Sequence, residues 1–175
     1  KLIFLFLSVI LCLCEVSEQK TVNVINLLAS EKNKITYLSE IATDIDYVSL
    51  QTLDNSLIGR ISSLKIRNDF FYVGTSFDIF CFDRTGKYLL KLSKSGKGPG
   101  EYELLLGFDI NRTASLLAVR SLKSILIYKQ TNEHFEFLRR IQLPVTPSDV
   151  CFTCKNDNIL IQFDNSNGQN PYLMA

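Results

Sequence analysis

Short apolar runs alternate with polar turn residues from about residue 35 to the end of the chain. The run at 70–74, Phe-Phe-Tyr-Val-Gly, shows the pattern: Asn and Asp precede it, and Thr and Ser follow it. Apolar and β-branched runs of roughly four to eight residues between such turn residues are characteristic of β-strands. Helical periodicity is limited to a short candidate at 37–42, so the pattern predicts an all-β protein.

The predicted strands form a repeat. The run at 70–76 recurs at 115–121 and again at 158–164, at intervals of about 45 residues. A shorter apolar run ending in a polar turn precedes each copy, which predicts a hairpin at the start of every unit. Each of the first two units continues with two further apolar runs: 78–82 and 87–92, then 124–128 and 135–141. A complete period therefore contains four predicted antiparallel strands.

Repeated four-stranded sheets at this spacing predict a β-propeller, because one such sheet cannot bury both of its faces and must stack against neighbours around a ring. A ring needs roughly four to eight blades. Within 35–175 we expect two complete blades, at 61–93 and 106–143, and the start of a third at 148–175. The chain is then a fragment of two to three blades. The lone extended run at 45–50 is predicted to be the outer strand of the last blade, which closes the ring.

The first residues predict export. Lys1 precedes an apolar run over 2–13, and polar sequence follows from Glu15. The run is shorter than the roughly 20 residues needed to span a bilayer, and a basic start before a short apolar run is typical of a signal peptide. We expect a signal peptide at 1–14, a polar linker at 15–34, and a protein exported to the periplasm or outer membrane. A buried core element is the alternative, although the run lacks a polar face.

Two interpretations of signal cleavage remain open. The run ends in Cys12 and Cys14 instead of a small-residue cleavage site. A bacterial lipoprotein signal ends in Leu-x-x-Cys, and its cysteine becomes the lipid-bearing first residue. Leu11-Cys12-Leu13-Cys14 has this spacing, although Leu13 stands where a small residue is usual. We expect Cys14 to be the lipidation site, with Cys12 or ordinary cleavage without a lipid as the alternatives.

The connection between the first two units carries the most specific motif. Residues 94–102, Lys-Ser-Gly-Lys-Gly-Pro-Gly-Glu-Tyr, resemble the G-x-G-P-G-E-[FY] connection between blades of NHL-type propellers. Together with 45–50, 57–61 and 82–87, this loop resembles the six-bladed β-propeller lipoproteins of Bacteroidetes-type bacteria over about residues 35–145. The resemblance implies a six-bladed ring when complete and a place in the cell envelope. It implies little about chemistry, because propellers host unrelated functions.

Composition and charge exclude little. The chain has 19 Lys plus Arg and 18 Asp plus Glu, for a formal charge of +1. Such a balance provides no electrostatic attraction to nucleic acid, so no nucleic-acid partner is expected. Membrane contact is expected through a lipid anchor alone.

Two motifs with catalytic or ligating spacing are better explained as structural. A phosphate-binding P-loop needs G-x-x-x-x-G-K-[ST] ahead of a helix, whereas Lys97 is followed by Gly-Pro-Gly. Cys151 and Cys154 have C-x-x-C spacing, but no second pair completes a zinc site, and His134 is the only histidine of the chain. We therefore expect no catalytic residue, metal or cofactor in this chain.

Three charged residues are the candidates for ligand binding. Lys65, Asp109 and Asp149 are predicted at equivalent positions of the first strand in successive units, the strand that lines a propeller's channel. They bind a polar ligand or cation, or alternatively the carboxylates anchor neighbouring blades through backbone hydrogen bonds. We expect a non-enzymatic envelope scaffold that binds a glycan, small molecule or protein. The alternatives are a propeller-type lyase or hydrolase with its catalytic residues in blades beyond this chain, or a non-functional gene fragment.

Overall fold

The computed structural model describes residues 37–40, 42–154 and 157–164. The predicted signal peptide, the linker at 15–34 and Cys14 lie outside these residues. The described part of the chain contains ten β-strands and one short 3-10 helix, Leu38–Glu40. No α-helix occurs among the described residues, and the short helical candidate at 37–42 is reduced to that 3-10 helix. The all-β prediction is confirmed.

The first four strands form an antiparallel sheet, called sheet 1. They follow the chain in order: β1 (Ser63–Arg67), β2 (Phe70–Gly74), β3 (Asp78–Asp83) and β4 (Tyr88–Ser93). Gly86, in the turn before β4, has a φ of 86°, and a Cβ there would collide with the backbone carbonyl of Ser49. The turn therefore requires glycine, since a side chain disfavours positive φ and lacks space.

A second sheet repeats this arrangement, and a hairpin follows it. Sheet 2 contains β5 (Gly107–Ile110), β6 (Leu116–Ser121), β7 (Ser124–Gln130) and β8 (Phe135–Gln142), again in sequential antiparallel order. Hairpin 3 consists of β9 (Asp149–Phe152) and β10 (Ile159–Gln162). Four-stranded antiparallel sheets are thus confirmed for both complete periods.

Sheet 2 is buried on both faces. Leu117 and Val119 pack with Tyr72 of sheet 1 in one core, whereas Ala118, between them on β6, packs with Val150 of hairpin 3 in another. Successive residues of a strand point to opposite faces, so a strand covered on both sides is apolar at consecutive positions. This explains why the repeated run is continuously apolar instead of alternating.

The outer face of sheet 1, which points away from sheet 2, is less well covered. Val73, Phe80 and Phe82 form a small buried cluster on it, whereas Leu64 and Ile66 of β1 remain 56% and 53% exposed. The segment 46–51 runs beside this face and forms no strand. The Gln51 N–H donates to the Gly86 carbonyl at 2.8 Å, and its side-chain oxygen accepts the Tyr88 N–H at 3.0 Å. The ring-closing role of 45–50 stays a prediction.

Candidate functional site

The structure brings Lys65 and Asp109 together. The Asp109 carboxylate is only 2% exposed, and it lies 3.5 Å from Lys65 Nζ and 3.5 Å from Arg67 Nη2. Its second oxygen accepts the backbone N–H of Phe152 at 2.8 Å. One side chain of sheet 2 therefore joins sheet 1 to hairpin 3. These contacts are of the kind expected for anchoring neighbouring repeats, and ligand binding by Asp109 and Lys65 stays a prediction.

Burial of a carboxylate is costly unless charges or hydrogen bonds compensate it. Two cations and one backbone N–H surround Asp109, so both of its oxygens have partners. The cations keep contact with water, since the side chains of Lys65 and Arg67 are 38% and 40% exposed. The carboxylate is thus buried and held by its partners, whereas the two cations that contact it remain accessible to water.

Asp149 does not occupy the position equivalent to Asp109. The Thr153 N–H bonds to the Asn158 carbonyl across hairpin 3, as the Asn111 N–H bonds to the Leu116 carbonyl in sheet 2. Two residues before these donors stand Cys151 in hairpin 3 and Asp109 in sheet 2. Cys151, and not Asp149, is therefore the residue equivalent to Asp109. Asp149 lies at the exposed start of β9, and its carboxylate accepts the N–H of its neighbour Val150 at 2.8 Å. In this hydrogen-bonding register Asp149 lies two residues before the position equivalent to Asp109. Ligand binding by Asp149 stays a prediction.

A pocket of about 310 Å³ lies next to this cluster. Its lining residues come from the ends of first strands and from the loops that follow them: Arg67, Ile110, Arg112, Phe152, Thr153 and Cys154. The Arg67 guanidinium is held in place because Nε donates to the Ile110 carbonyl at 3.2 Å and Nη1 to the Ile66 carbonyl at 3.1 Å. Sequence reasoning missed both arginines, since neither belongs to a recognisable motif and their proximity depends on the packing of different repeats.

Asn111 stabilises the loop between β5 and β6, which carries Arg112. Its side chain is fully buried; Oδ1 accepts the N–H groups of Ser115 and Leu116, and the two Nδ2 hydrogens are shared among the side-chain oxygens of Thr113, Ser115 and Asp157, each 3.0 Å away. The bond to Asp157 Oδ1, at 3.0 Å, links sheet 2 to hairpin 3. The sequence Asn-Arg-Thr at 111–113 matches a glycosylation acceptor, but the Asn111 amide nitrogen is buried and hydrogen-bonded in the fold. We therefore interpret this sequence as a structural loop.

The glycine-rich connection is stabilised by its own contacts. The Glu101 carboxylate accepts the Gly98 N–H at 2.9 Å, and the Tyr102 hydroxyl donates to the Phe77 carbonyl at 2.6 Å. The hydroxyl of Tyr128, from sheet 2, donates to the Gly100 carbonyl at 3.0 Å. Gly100 has a φ of 72° and packs against a ring of β8, so a side chain would be strained there. These contacts explain the Gly-Pro-Gly-Glu-Tyr sequence as a structural junction between sheets.

Buried polar side chains also cross the core between the two sheets. The Tyr72 hydroxyl donates to Gln130 Oε1 at 2.6 Å, and Gln130 Nε2 lies 4.0 Å from Cys81 Sγ. Burial raises the pKa of the Cys81 thiol to about 12 and raises the pKa of Tyr72 above its ordinary range. Both groups stay protonated and neutral at physiological pH, as an apolar core requires.

The two other cysteines of the described residues also carry unbridged thiols. Cys151 is half-buried on β9, and Cys154 is exposed in the following loop. In the described part of the chain, no group of three or more His, Cys, Asp and Glu side chains is placed to hold a metal ion. Among the same residues, no helix is long and apolar enough to cross a membrane.

These features define a class of protein: an all-β chain of stacked four-stranded antiparallel sheets, joined at their seams by buried polar contacts. The chain belongs to the family described as "Domain of unknown function (DUF4934)", whose model matches residues 22–175. No curated protein matches the chain.

A solved structure from Bacteroides fragilis, described as a "Putative exported protein", is similar in fold. The TM-score is 0.60 and the sequence identity is 24%. The match covers 74% of this chain and 38% of that protein, so the matched part of the chain spans well under half of its structural relative.

Proposed function

We propose that this chain is part of an exported β-propeller of the cell envelope, a non-enzymatic scaffold that binds a glycan, small molecule or protein. The observation that carries the proposal is the unequal burial of two equivalent sheets. Sheet 2 has a neighbour on each face, whereas the outer face of sheet 1 leaves Leu64 and Ile66 exposed beside a buried aromatic cluster. A further sheet on that face completes the burial.

The extent of the structural match supports a ring of six blades. The matched part of the chain covers 38% of the Bacteroides fragilis protein. If that part holds the two complete sheets and the hairpin, a protein of that length contains roughly six to seven blades at the same density, within the usual range for propellers. The description of that protein as exported supports export of this chain, in agreement with the signal peptide expected at 1–14.

The segment 46–51 fits the proposed closing strand. Its hydrogen bonds with Gly86 and Tyr88 hold it next to β4, the last strand of sheet 1. In a propeller, the last strand of each blade is the outermost. This position beside β4 supports the proposal that the segment is the outer strand of an adjoining blade. Asp46, Val48 and Leu50 border an apolar groove of about 250 Å³ with residues of β1 and β2.

A charge on the outer face of sheet 1 tests the ring. In the full-length protein, we expect Leu64→Asp to lower the melting temperature strongly or cause aggregation, because the carboxylate would be buried against the adjoining blade. Leu138→Asp is the matched control: Leu138, on β8, is 47% exposed although both faces of sheet 2 are covered. Equal tolerance of the two substitutions would show that the outer face of sheet 1 is open to water, and would contradict the ring.

Export and lipidation have a separate test. Cells that express the full-length protein are treated with globomycin, and the mass of the protein is measured with and without treatment. We expect an unprocessed precursor to accumulate, Cys14→Ser to remove the lipid, and Cys12→Ser to leave the lipidated form unchanged. A mass that is insensitive to globomycin would overturn lipidation, and retention of the precursor in the cytoplasm would overturn export.

A further inference from the structure

The pocket beside Asp109 has the composition of a binding site for an anion. We propose that it binds an organic carboxylate, a negatively charged group carried on an apolar body. The inference deepens the proposed function and rests on it, since it names the ligand class of a binding scaffold. The lining of the pocket combines two arginines with the apolar side chains of Ile110 and Phe152.

Arg67 is a preorganised donor. Its three nitrogens each use one N–H, toward the carbonyls of Ile110 and Ile66 and toward Asp109. A guanidinium carries five N–H groups, so each terminal nitrogen keeps a second one. The side chain is 40% exposed and lines the pocket, so these donors are within reach of a ligand. A fixed guanidinium loses little conformational entropy when it binds a carboxylate with two parallel hydrogen bonds.

The local charge favours an anion. Lys65 and Arg67 contact one buried carboxylate, that of Asp109, and Arg112 lines the same pocket as Arg67. The Asp157 carboxylate bonds to Asn111, the neighbour of Arg112, so the three cations exceed these two carboxylates by one charge. No carboxylate lines the pocket among the described residues. Arg112 is an exposed side chain on the lining, so it is available as a second cation for the ligand. Arginines that share a pocket repel each other, and a bound anion relieves that repulsion.

The walls of the pocket select against a small inorganic anion. Ile110 and Phe152 provide apolar surface, and the space of about 310 Å³ is larger than one carboxylate or phosphate group requires. Apolar surface that a ligand covers adds to the affinity of the ligand. A carboxylate attached to an aromatic or aliphatic body uses both the cations and the walls, whereas inorganic phosphate uses the cations alone.

Cys154 provides a readout at the site itself. The thiol is exposed and lines the pocket, so a bound ligand shields it from a neutral alkylating reagent. In the experiment, iodoacetamide modifies the full-length protein at low salt, and mass spectrometry of the peptides follows the alkylation of Cys154. Benzoate is the probe, benzamide is its uncharged analogue, and inorganic phosphate is the anion without an apolar body.

We expect millimolar benzoate to slow alkylation of Cys154 several-fold, and benzamide and phosphate to have little effect. Arg112→Gln should weaken the protection by about tenfold, as expected for the loss of one charged contact. Arg84→Gln is the matched control, since Arg84 is an exposed arginine paired with Asp69 elsewhere on sheet 1. In Arg84→Gln, benzoate should protect Cys154 from alkylation as well as it does in the unsubstituted protein.

Equal protection by benzamide, equal protection by phosphate, or full protection in Arg112→Gln would each overturn the inference. Absence of any protection would also overturn it. The ring is judged independently by the Leu64→Asp experiment, so a failure of the pocket leaves that result unaffected.

Discussion

Sheets 1 and 2 are built from the same repeat, yet they differ in how they are buried. In sheet 2, Leu117 and Ala118 are neighbours on one strand, point to opposite faces, and are both fully buried. In sheet 1, Tyr72 is fully buried toward sheet 2, while Leu64 on the other face is more than half exposed. A repeat whose strands are apolar on both faces therefore requires a neighbouring sheet on each face. The burial of each face shows whether that neighbour is present.

The largest expected effect compares the two sheets directly. In the full-length protein, Leu126→Ala should lower the free energy of unfolding by about 2–5 kcal/mol, because it leaves a cavity in the core between the sheets. If a further blade covers sheet 1, Leu64→Ala should cost about 2 kcal/mol as well. Urea denaturation measures both values. A cost below about 0.5 kcal/mol for Leu64→Ala is the value of an exposed site, and would contradict the covering blade.

Removal of the charge at the seam comes next. Asp109→Asn should lower the free energy of unfolding by about 2 kcal/mol, since two cations and the Phe152 N–H lose their charged partner. The control is Asp69→Asn, which removes an ion pair with Arg84 whose side chains are 72% and 80% exposed. Its cost should be within about 0.5 kcal/mol. Equal costs in urea denaturation would mean that burial of Asp109 does not matter.

Loss of one hydroxyl at the glycine-rich junction should have a smaller effect. Tyr102→Phe removes the donor to the Phe77 carbonyl, so we expect a loss of about 1 kcal/mol in the free energy of unfolding. Tyr47→Phe, at a ring that is 92% exposed, is the control and should be neutral. If calorimetry shows no difference between the two variants, the buried hydroxyl is not what fixes the junction.

The smallest effect near neutral pH concerns the buried thiol and hydroxyl groups. Burial raises the pKa of Cys81 from 9.0 to about 12 and that of Tyr102 from 10.0 to about 12. Between pH 9 and pH 12 the unfolded chain therefore loses protons that the folded chain keeps, so stability falls as the pH rises. Denaturation midpoints across this range measure the effect. Cys81→Ala should flatten the lower part of the profile, and an unchanged slope would contradict its assignment to that thiol.

The repeat and its strands were predictable because they depend on local patterns. Alternating turn residues and apolar runs identified the four strands of each sheet, and the Gly-Pro-Gly-Glu-Tyr motif identified the junction. Asp149 lies on the first strand of its unit, as predicted, but the Thr153–Asn158 hydrogen bond sets a register in which Cys151, and not Asp149, is equivalent to Asp109. The strands can be located from the sequence, but the hydrogen-bonding register across a turn, and with it the equivalence of residues in successive repeats, cannot be predicted in the same way.

The candidate pocket illustrates the same limit. Arg67 and Arg112 belong to different repeats, and nothing in either repeat marks an arginine as a lining residue. Their proximity follows from the stacking of sheet 1 on sheet 2, with Phe152 of hairpin 3 completing the wall. The proximity of Lys65 and Asp109 was closer to what the sequence predicted, because both residues lie on first strands that stacking brings side by side.

The sequence by itself determined that the chain forms short antiparallel strands in repeated groups of four, because strand and turn preferences act over a few residues. Only the tertiary structure decided which apolar face is covered, that Asp109 is buried between Lys65 and Arg67, and that the two arginines share a pocket. These features arise from contacts between residues about 40 or more positions apart, which depend on how repeats stack around one another.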